Sequence, residues 1–339
     1  MSRIAHRGGR RRAPVFGRDD SGLAIDLVVT RTEDGQSWDG MIYRPAAGGD
    51  PLRRRLAVLV VHGSVGNYIT GIPRRVSFGL AQAGFTVMSV NTRMANYGVI
   101  FGGGLMHRTP LDIDAALEVL RRRGFRRVVL LGFSMGSTMV THYQALRRPT
   151  DVVGVLTLAH PASLPAALRL RWDHFGAEPG YEEVAELVHR RLAPDFEDAS
   201  RDRILLVRRA RGFGDRPLDC EVWSLRTWWH SRGPRAPHAE SRLRVGHVTV
   251  PLGIVQAAED ELVRDDEGPE LEALARQGDC PSVWRTTVRD ADHVFTGCDD
   301  DLIEACVGWL DGRVEASPLP ARDDVRCGPE LIAQLPSRS

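Results

Sequence analysis

One serine in this sequence sits where a nucleophile would be useful. Ser134 is the centre of Gly132-Phe133-Ser134-Met135-Gly136. The apolar run RRVVLLGF (126–133) leads into it, and SMGSTMVTHYQALRR (134–148), which reads as an amphipathic helix, leads away. A serine on so sharp a strand-to-helix turn is held out at the edge of a sheet in a strained backbone conformation. Side chains two residues to either side would collide with neighbouring backbone. Gly132 and Gly136 relieve that, and Ser137 is small as well. The helix start brings backbone N–H groups and a positive dipole end to the same place. The plainer alternative is a glycine turn followed by a helix that Ser134 merely caps.

A serine hydroxyl at neutral pH needs a hydrogen-bonded base, and the base needs a carboxylate that holds its tautomer. Two downstream loops offer these groups. Asp260 ends the apolar strand PLGIVQAA, at the carboxyl edge where ligand-facing residues gather in doubly wound sheets. Glu259 is the competing acid. His293 follows the strand SVWRTTV (282–288), within Asp290-Ala291-Asp292-His293-Val294-Phe295. The side chain of Asp292 is expected to point away from it. Attack on a carbonyl builds charge on its oxygen, and two preorganised N–H donors lower that barrier. The Met135 amide is one candidate. The other lies in His62-Gly63-Ser64-Val65 after LAVLVV, with Ser64 as first choice and Val65 as alternative. His62 reads as a packed histidine that shapes this loop. The chemistry these groups would do together is acyl transfer.

The elements around them alternate. Residues 23–30 (LAIDLVVT) and 40–44 (GMIYR) read as an antiparallel pair. Strands over 56–63, 85–91, 126–133 and 151–159 then alternate with helices over 73–84, 110–124 and 134–148. Apolar strands that alternate with helices predict an α/β fold with a doubly wound, mainly parallel sheet. After His160 the alternation breaks. Helices are expected near 180–192 and 203–212, followed by the aromatic segment VWSLRTWWHSRGP (222–234). A strand over 248–258, a helix over 269–278, a strand over 282–288 and a helix over 299–310 resume it. The expected division is a flexible basic tail (1–22), a core (23–160 and 247–313), a mostly helical insertion (161–246) and a C-terminal tail (314–339).

Composition removes other function classes. The chain has 339 residues and a formal charge of +1, so no bulk field favours nucleic acid or an anionic membrane. It contains no lysine, which excludes Schiff-base catalysis and a Walker-A loop. The five cysteines are odd in number and lack CxxC spacing. Neither a disulfide framework nor a metal site is expected from them, and a reducing cytoplasm is the expected compartment. No apolar run is long enough to span a bilayer. No cofactor is implied.

Together the Ser134 turn, the 62–65 loop, the Asp260 loop and the His293 loop resemble the α/β-hydrolase superfamily across residues 23–312. Ala257-Ala258-Glu259-Asp260-Glu261-Leu262-Val263 is similar to that family's G-x-x-D-x-x-V segment, with Ala257 in place of glycine. The His293 loop looks like its G-x-x-H loop, with Asp290 in place of glycine. HGSVGNY, NTR (91–93) and SLRTWW…RGP also resemble, more narrowly, a group related to siderophore esterases. The resemblance implies an eight-stranded sheet, no metal, and a Ser134–Asp260–His293 triad acting through an acyl-enzyme on an ester or thioester of a small to medium organic molecule. It implies that the insertion is a cap. Trp172, Trp223, Trp228 and Trp229 are then candidates to line the substrate pocket, or else glue between cap and core. Asn67, Tyr68, Arg93 and Asn96 are candidates to touch a polar substrate. Acyl transfer, C–C hydrolysis, cyclisation by the same triad, and a non-catalytic binding protein are the rival readings. A dimer is compatible with all of them.

Overall fold

The structure is a computed structural model that describes residues 23–45, 50–96, 102–211 and 219–315. The tail expected over 1–22, and residues 316–339 of the C-terminal one, lie outside the described residues.

The core strands are β1 (Ala24–Arg31), β2 (Ser37–Arg44), β3 (Ala57–Val61), β4 (Thr86–Val90), β5 (Val128–Phe133) and β6 (Val152–Leu158). The insertion contributes β7 (Ala177–Glu178), β8 (Ile204–Arg209) and β9 (Asp219–Ser224), and the core ends with β10 (Leu252–Ala257) and β11 (Val283–Val288). Eight of these form one sheet in the order β1-β2-β4-β3-β5-β6-β10-β11. β2 runs antiparallel to both its neighbours, and the pairs from β4 to β11 are parallel. The strand expected over 40–44 starts at Ser37, because Ser37 already pairs with Arg31 across the turn.

Helices α1 (Gly71–Gln82), α2 (Thr109–Arg122), α3 (Met135–Arg147), α7 (Glu267–Gln277) and α8 (Asp299–Glu315) cover the sheet. Successive residues of a strand point to opposite faces, and β3 shows this directly. Val58 and Val60 pack in one apolar cluster with Ile72 and Val76 of α1 and Leu302 and Leu310 of α8. Ala57, Leu59 and Val61 pack in the other, with Ile113 and Leu117 of α2 and Met139 and Val140 of α3. Burial on both faces is why these strands read as unbroken apolar runs. α2 has Pro110 in its first turn, and Gly124 follows its end with φ +91°.

Between β6 and β10 the insertion folds as α4 (Leu164–His174), β7, α5 (Tyr181–Leu192), β8, β9 and α6 (Leu225–Arg232). The helix expected over 203–212 is not there. Ile204–Arg209 is a strand, paired antiparallel with β9. Its burial alternates, with Leu205, Val207 and Arg209 inside. The alternation is hidden in the sequence because the outward Ile204 and Leu206 are apolar and the third inward position is an arginine, which reaches the buried carboxylate of Glu221 at 3.5 Å. Trp172, Tyr181 and Trp228 then form the aromatic centre of the insertion, in edge-on and tilted contacts 5.2–6.3 Å apart. Trp228 is wholly buried. Trp228→Ala should therefore lower folding stability by about 3–5 kcal/mol, read from urea denaturation. A change below about 1 kcal/mol would mean this cluster does not hold the insertion together.

Candidate active site

Ser134 stands between β5 and α3 with φ 52° and ψ −119°, a conformation L-residues rarely adopt. The close packing around it explains why it stays there. A Cβ on Gly132 would lie 2.4 Å from the carbonyl group of Gly136, and one on Gly136 would lie 2.3 Å from the Val61 carbonyl oxygen. Two glycines thus let β3, β5 and α3 meet at one point. The Ser134 amide donates to Leu158 O at 2.8 Å. Ser137 reinforces the turn, because its hydroxyl reaches the carbonyl oxygens of Gly132 (2.7 Å) and Leu158 (3.1 Å).

The Ser134 hydroxyl makes no cap bond to its own helix. It lies 3.0 Å from His293 Nε2. His293 Nδ1 lies 2.9 Å from both carboxylate oxygens of Asp260. An ionised carboxylate only accepts, so Nδ1 carries the proton and Nε2 is left to accept from the serine. Asp260 is fixed in turn, with Oδ1 accepting from the amides of Leu262 and Val263 at 2.9 Å each. His293 and the Asp260 side chain are buried, whereas Ser134 is partly open to solvent. Glu259, the competing acid, is exposed. Asp292 folds back on the amides of Val294 and Thr296. Two supports were not anticipated in the sequence. Glu261 accepts from the His293 backbone N–H at 3.1 Å, and the Phe133 ring lies 5.4 Å from the imidazole.

The 62–66 loop closes the other side of Ser134. A Cβ on Gly63 would come within 3.2 Å of Ser134 Cβ, so this backbone passes directly beside the serine. Val65 takes φ 52°. His62 is fully buried, with Nδ1 2.8 Å from Gly63 O and Nε2 accepting from the Thr92 amide at 3.1 Å. One ring nitrogen donates and the other accepts, which requires a neutral ring, and burial pushes its pKa down to about 4. Met135 is buried at the first turn of α3, and Ser64 is held by its side chain rather than left free. Arg232 Nη2, from the insertion, donates to Ser64 Oγ at 2.6 Å. The Arg232 guanidinium is fully buried, 3.5 Å from the centre of the Trp223 ring, and burial lowers its pKa to about 9. Glu221 supplies the compensating charge. Against the effect of burial, Arg171, Arg232 and Arg209 hold its carboxyl below the usual range.

The residues expected at a substrate surface separate into two groups. Val65, Met94, Asn96, Glu221 and Trp223 line a void of about water size beside the 62–66 loop, in which Asn96 is half-buried and Trp223 buried. Asn67 is buried and spends its amide on Asn96 Oδ1, while its own oxygen accepts from the Ile69 amide and the Thr70 hydroxyl. Tyr68 is buried, and its amide donates to Asn91 Oδ1. Arg93 does not face a ligand. Its guanidinium is clamped between Asp34 (2.8 Å) and Asp112 (3.0 Å), and its hydrogen bonds hold the Asp34 carboxyl down at about 2. Trp172 donates to Pro179 O and packs with Trp228 inside the insertion, and Trp229 stacks on Phe196 at 4.1 Å. The contacts of these three tryptophans lie within the insertion.

Solved structures share this architecture. The esterase Pf2001 of Pyrococcus furiosus superposes with a TM-score of 0.58 at 15% identity, over 86% of this chain and 90% of its own. Est1E from Butyrivibrio proteoclasticus gives 0.56 at 14% identity, over 87% and 99%. DcsB, solved with its substrate analogue, gives 0.62 at 12% identity, over 86% and 99%. No family model and no curated protein matches the chain in sequence. The likeness is one of architecture, and this chain has the α/β-hydrolase fold.

The buried imidazoles set a pH dependence. His62 (pKa about 4) and His160 (about 3) are held neutral by burial, while an unfolded histidine titrates near 6.5. Their contribution to stability is complete above pH 6.5. It falls as pH drops toward 4, because the unfolded chain takes up protons that the native one refuses, at about 1.4 kcal/mol per pH unit for each group. Urea midpoints should fall between pH 7 and pH 5. Equal midpoints would show that these rings are protonated in the native state.

Proposed function

We propose that the protein is a serine hydrolase that cleaves a carboxylic ester, or a thioester, of a small to medium organic molecule. The observation that carries this reading is the hydrogen-bonded chain Ser134 Oγ–His293–Asp260. Three residues remote in sequence meet at hydrogen-bond distance in the donor–acceptor order that acyl transfer needs. That solved proteins of the same fold carry the name esterase supports it further.

In this reading His293 Nε2 takes the Ser134 proton as Oγ attacks the substrate carbonyl carbon. The developing oxyanion is held by the amides of Met135 and of Ser64 or Val65. His293 then passes its proton to the leaving oxygen or sulfur, and the acyl group remains on Ser134. A water, deprotonated by His293, attacks the acyl carbon, the bond to Ser134 Oγ breaks, His293 returns the proton to Oγ, and the acid leaves. Asp260 stays ionised throughout and stabilises the imidazolium. The insertion acts as a cap. It contributes Arg232, stacked on the Trp223 ring, to the support of the 62–66 loop.

Ser134→Ala should abolish turnover of p-nitrophenyl acyl esters and labelling by a fluorophosphonate probe, with circular dichroism unchanged. Labelling that survives in this variant would reject Ser134 as nucleophile. Asp260→Asn should leave the fold intact and reduce kcat by roughly ten-thousand-fold, since the wrong tautomer of His293 is then favoured. A reduction smaller than about ten-fold, read from initial rates, would give the orienting role to another group.

A further inference from the structure

A second cluster of titratable side chains lies where the insertion meets the core, and the proposed hydrolysis uses none of it. Four imidazoles from separate elements run in a line. His142 is on α3, His238 on the short turn Pro237–Ala239, His107 on the turn Met106–Arg108 ahead of α2, and His230 on α6. Neighbouring ring centres are 5.3, 5.5 and 4.9 Å apart along that series. Glu197, in the segment after α5, closes the end of the row. Its Oε1 lies 3.0 Å from His230 Nε2 and 3.9 Å from His107 Nε2.

Packing alone does not explain the polar atoms. His107 Nδ1, His142 Nδ1 and His238 Nδ1 are buried without a hydrogen-bond partner, and His230 Nε2 has only the Glu197 carboxylate beside it. A buried nitrogen left unsatisfied is costly, and at the Glu197 end of the row two imidazoles, His107 and His230, turn Nε2 toward one carboxylate oxygen. We propose that His107, Glu197 and His230 form a binding site for a divalent transition-metal ion of the zinc class, with His238 as the neighbouring imidazole. Two imidazoles and a carboxylate are a ligand set that such ions take, with solvent or a further ring in the fourth position.

The geometry is near what coordination requires. One ligand atom from each of the three residues lies within 4.8 Å of the others. Tetrahedral bonds of about 2.0–2.2 Å put ligand atoms roughly 3.4 Å apart, so a contraction of about an ångström by side-chain rotation completes the site. His230 is also hydrogen-bonded to the Phe196 backbone, the kind of outer contact that orients a ligating ring. The Glu197 side chain is 52% exposed and gives an ion a way in. The charges facing the cluster are Arg226, which binds the other Glu197 oxygen at 3.1 Å, Asp202 near His230, Arg108 beside His107, and Arg244 beside His142 and His238. Arg226 leaves Oε1 turned toward the imidazoles. Glu197 and His230 belong to the insertion and His107 to the core, so the ion would clamp the two together.

The test uses the full chain without an affinity tag, stripped with chelator and then titrated with Zn²⁺ in a calorimeter. Co²⁺ serves as the spectroscopic probe. The expected result is one ion per chain, visible ligand-field bands with Co²⁺, and a Tm raised by at least about 4 °C in excess Zn²⁺. His230→Gln and Glu197→Gln should each weaken binding at least ten-fold and remove the Co²⁺ bands, while fluorophosphonate labelling of Ser134 persists. Glu197→Gln alters an exposed group and keeps the fold, so it decides the matter if His230→Gln does not fold. A wild-type chain that binds no Zn²⁺ and shows no Tm shift overturns the proposal, as does Glu197→Gln protein that binds as wild type does. These readouts are independent of whether Ser134 is a nucleophile.

Discussion

The structure turns on a steric constraint at the crossing of β3, β5 and α3. The backbone of Val61, Gly132 and Gly136 comes so close there that no Cβ fits on either glycine. Ser134 is pushed into a positive-φ conformation as a result. Strain of this kind costs about 1–3 kcal/mol and persists only where the surroundings over-determine it. Here the surroundings are the buried strands on both sides, the Ser134 amide bonded to β6, and the Ser137 hydroxyl bridging β5 and β6. The sheet therefore aims a hydroxyl at the edge where the β10 and β11 loops deliver a carboxylate and an imidazole.

Much of this was legible in the chain itself. Gly-x-Ser-x-Gly between an apolar run and an amphipathic helix marks a turn because only glycine tolerates the backbone approach. Asp260 was legible because it ends an apolar strand, and His293 because it follows the last strand in a loop similar to G-x-x-H, at the same sheet edge. The sheet strands were legible because both faces are buried. Elsewhere local pattern misled. In β8 the outward Ile204 and Leu206 and the inward Arg209 mask the period of two, and a strand resembles a helix. The tryptophans of the insertion look like pocket lining from composition, yet Trp172 and Trp228 have each other and Tyr181 for company. Arg93 looks like a free cation in a loop until Asp34 and Asp112 arrive from elements on either side of it in the sequence.

The imidazole row was invisible for a related reason. Metal sites are read from spacing when their ligands share a loop or a helix face. His107, Glu197 and His230 are about 90 and 33 residues apart in the chain, and only the docking of the insertion on α2 and α3 collects them. The fold of the insertion itself collects Arg171, Arg209, Glu221 and Arg232, which are polar groups that no linear motif joins. Long-range polar convergence is what a single sequence hides best, whereas apolar periodicity is what it displays best.

Arg232 has a bearing on how this molecule moves. It is a charged side chain sealed inside protein, tethered at one end to the loop beside Ser134 and neutralised by a carboxylate carried, like Arg232 itself, on the insertion. The two charges therefore travel together, and the link that crosses to the core is the hydrogen bond to Ser64. Displacing α6 breaks that bond or drags the 62–66 loop with it, so the shape of the backbone beside Ser134 depends on where the insertion sits.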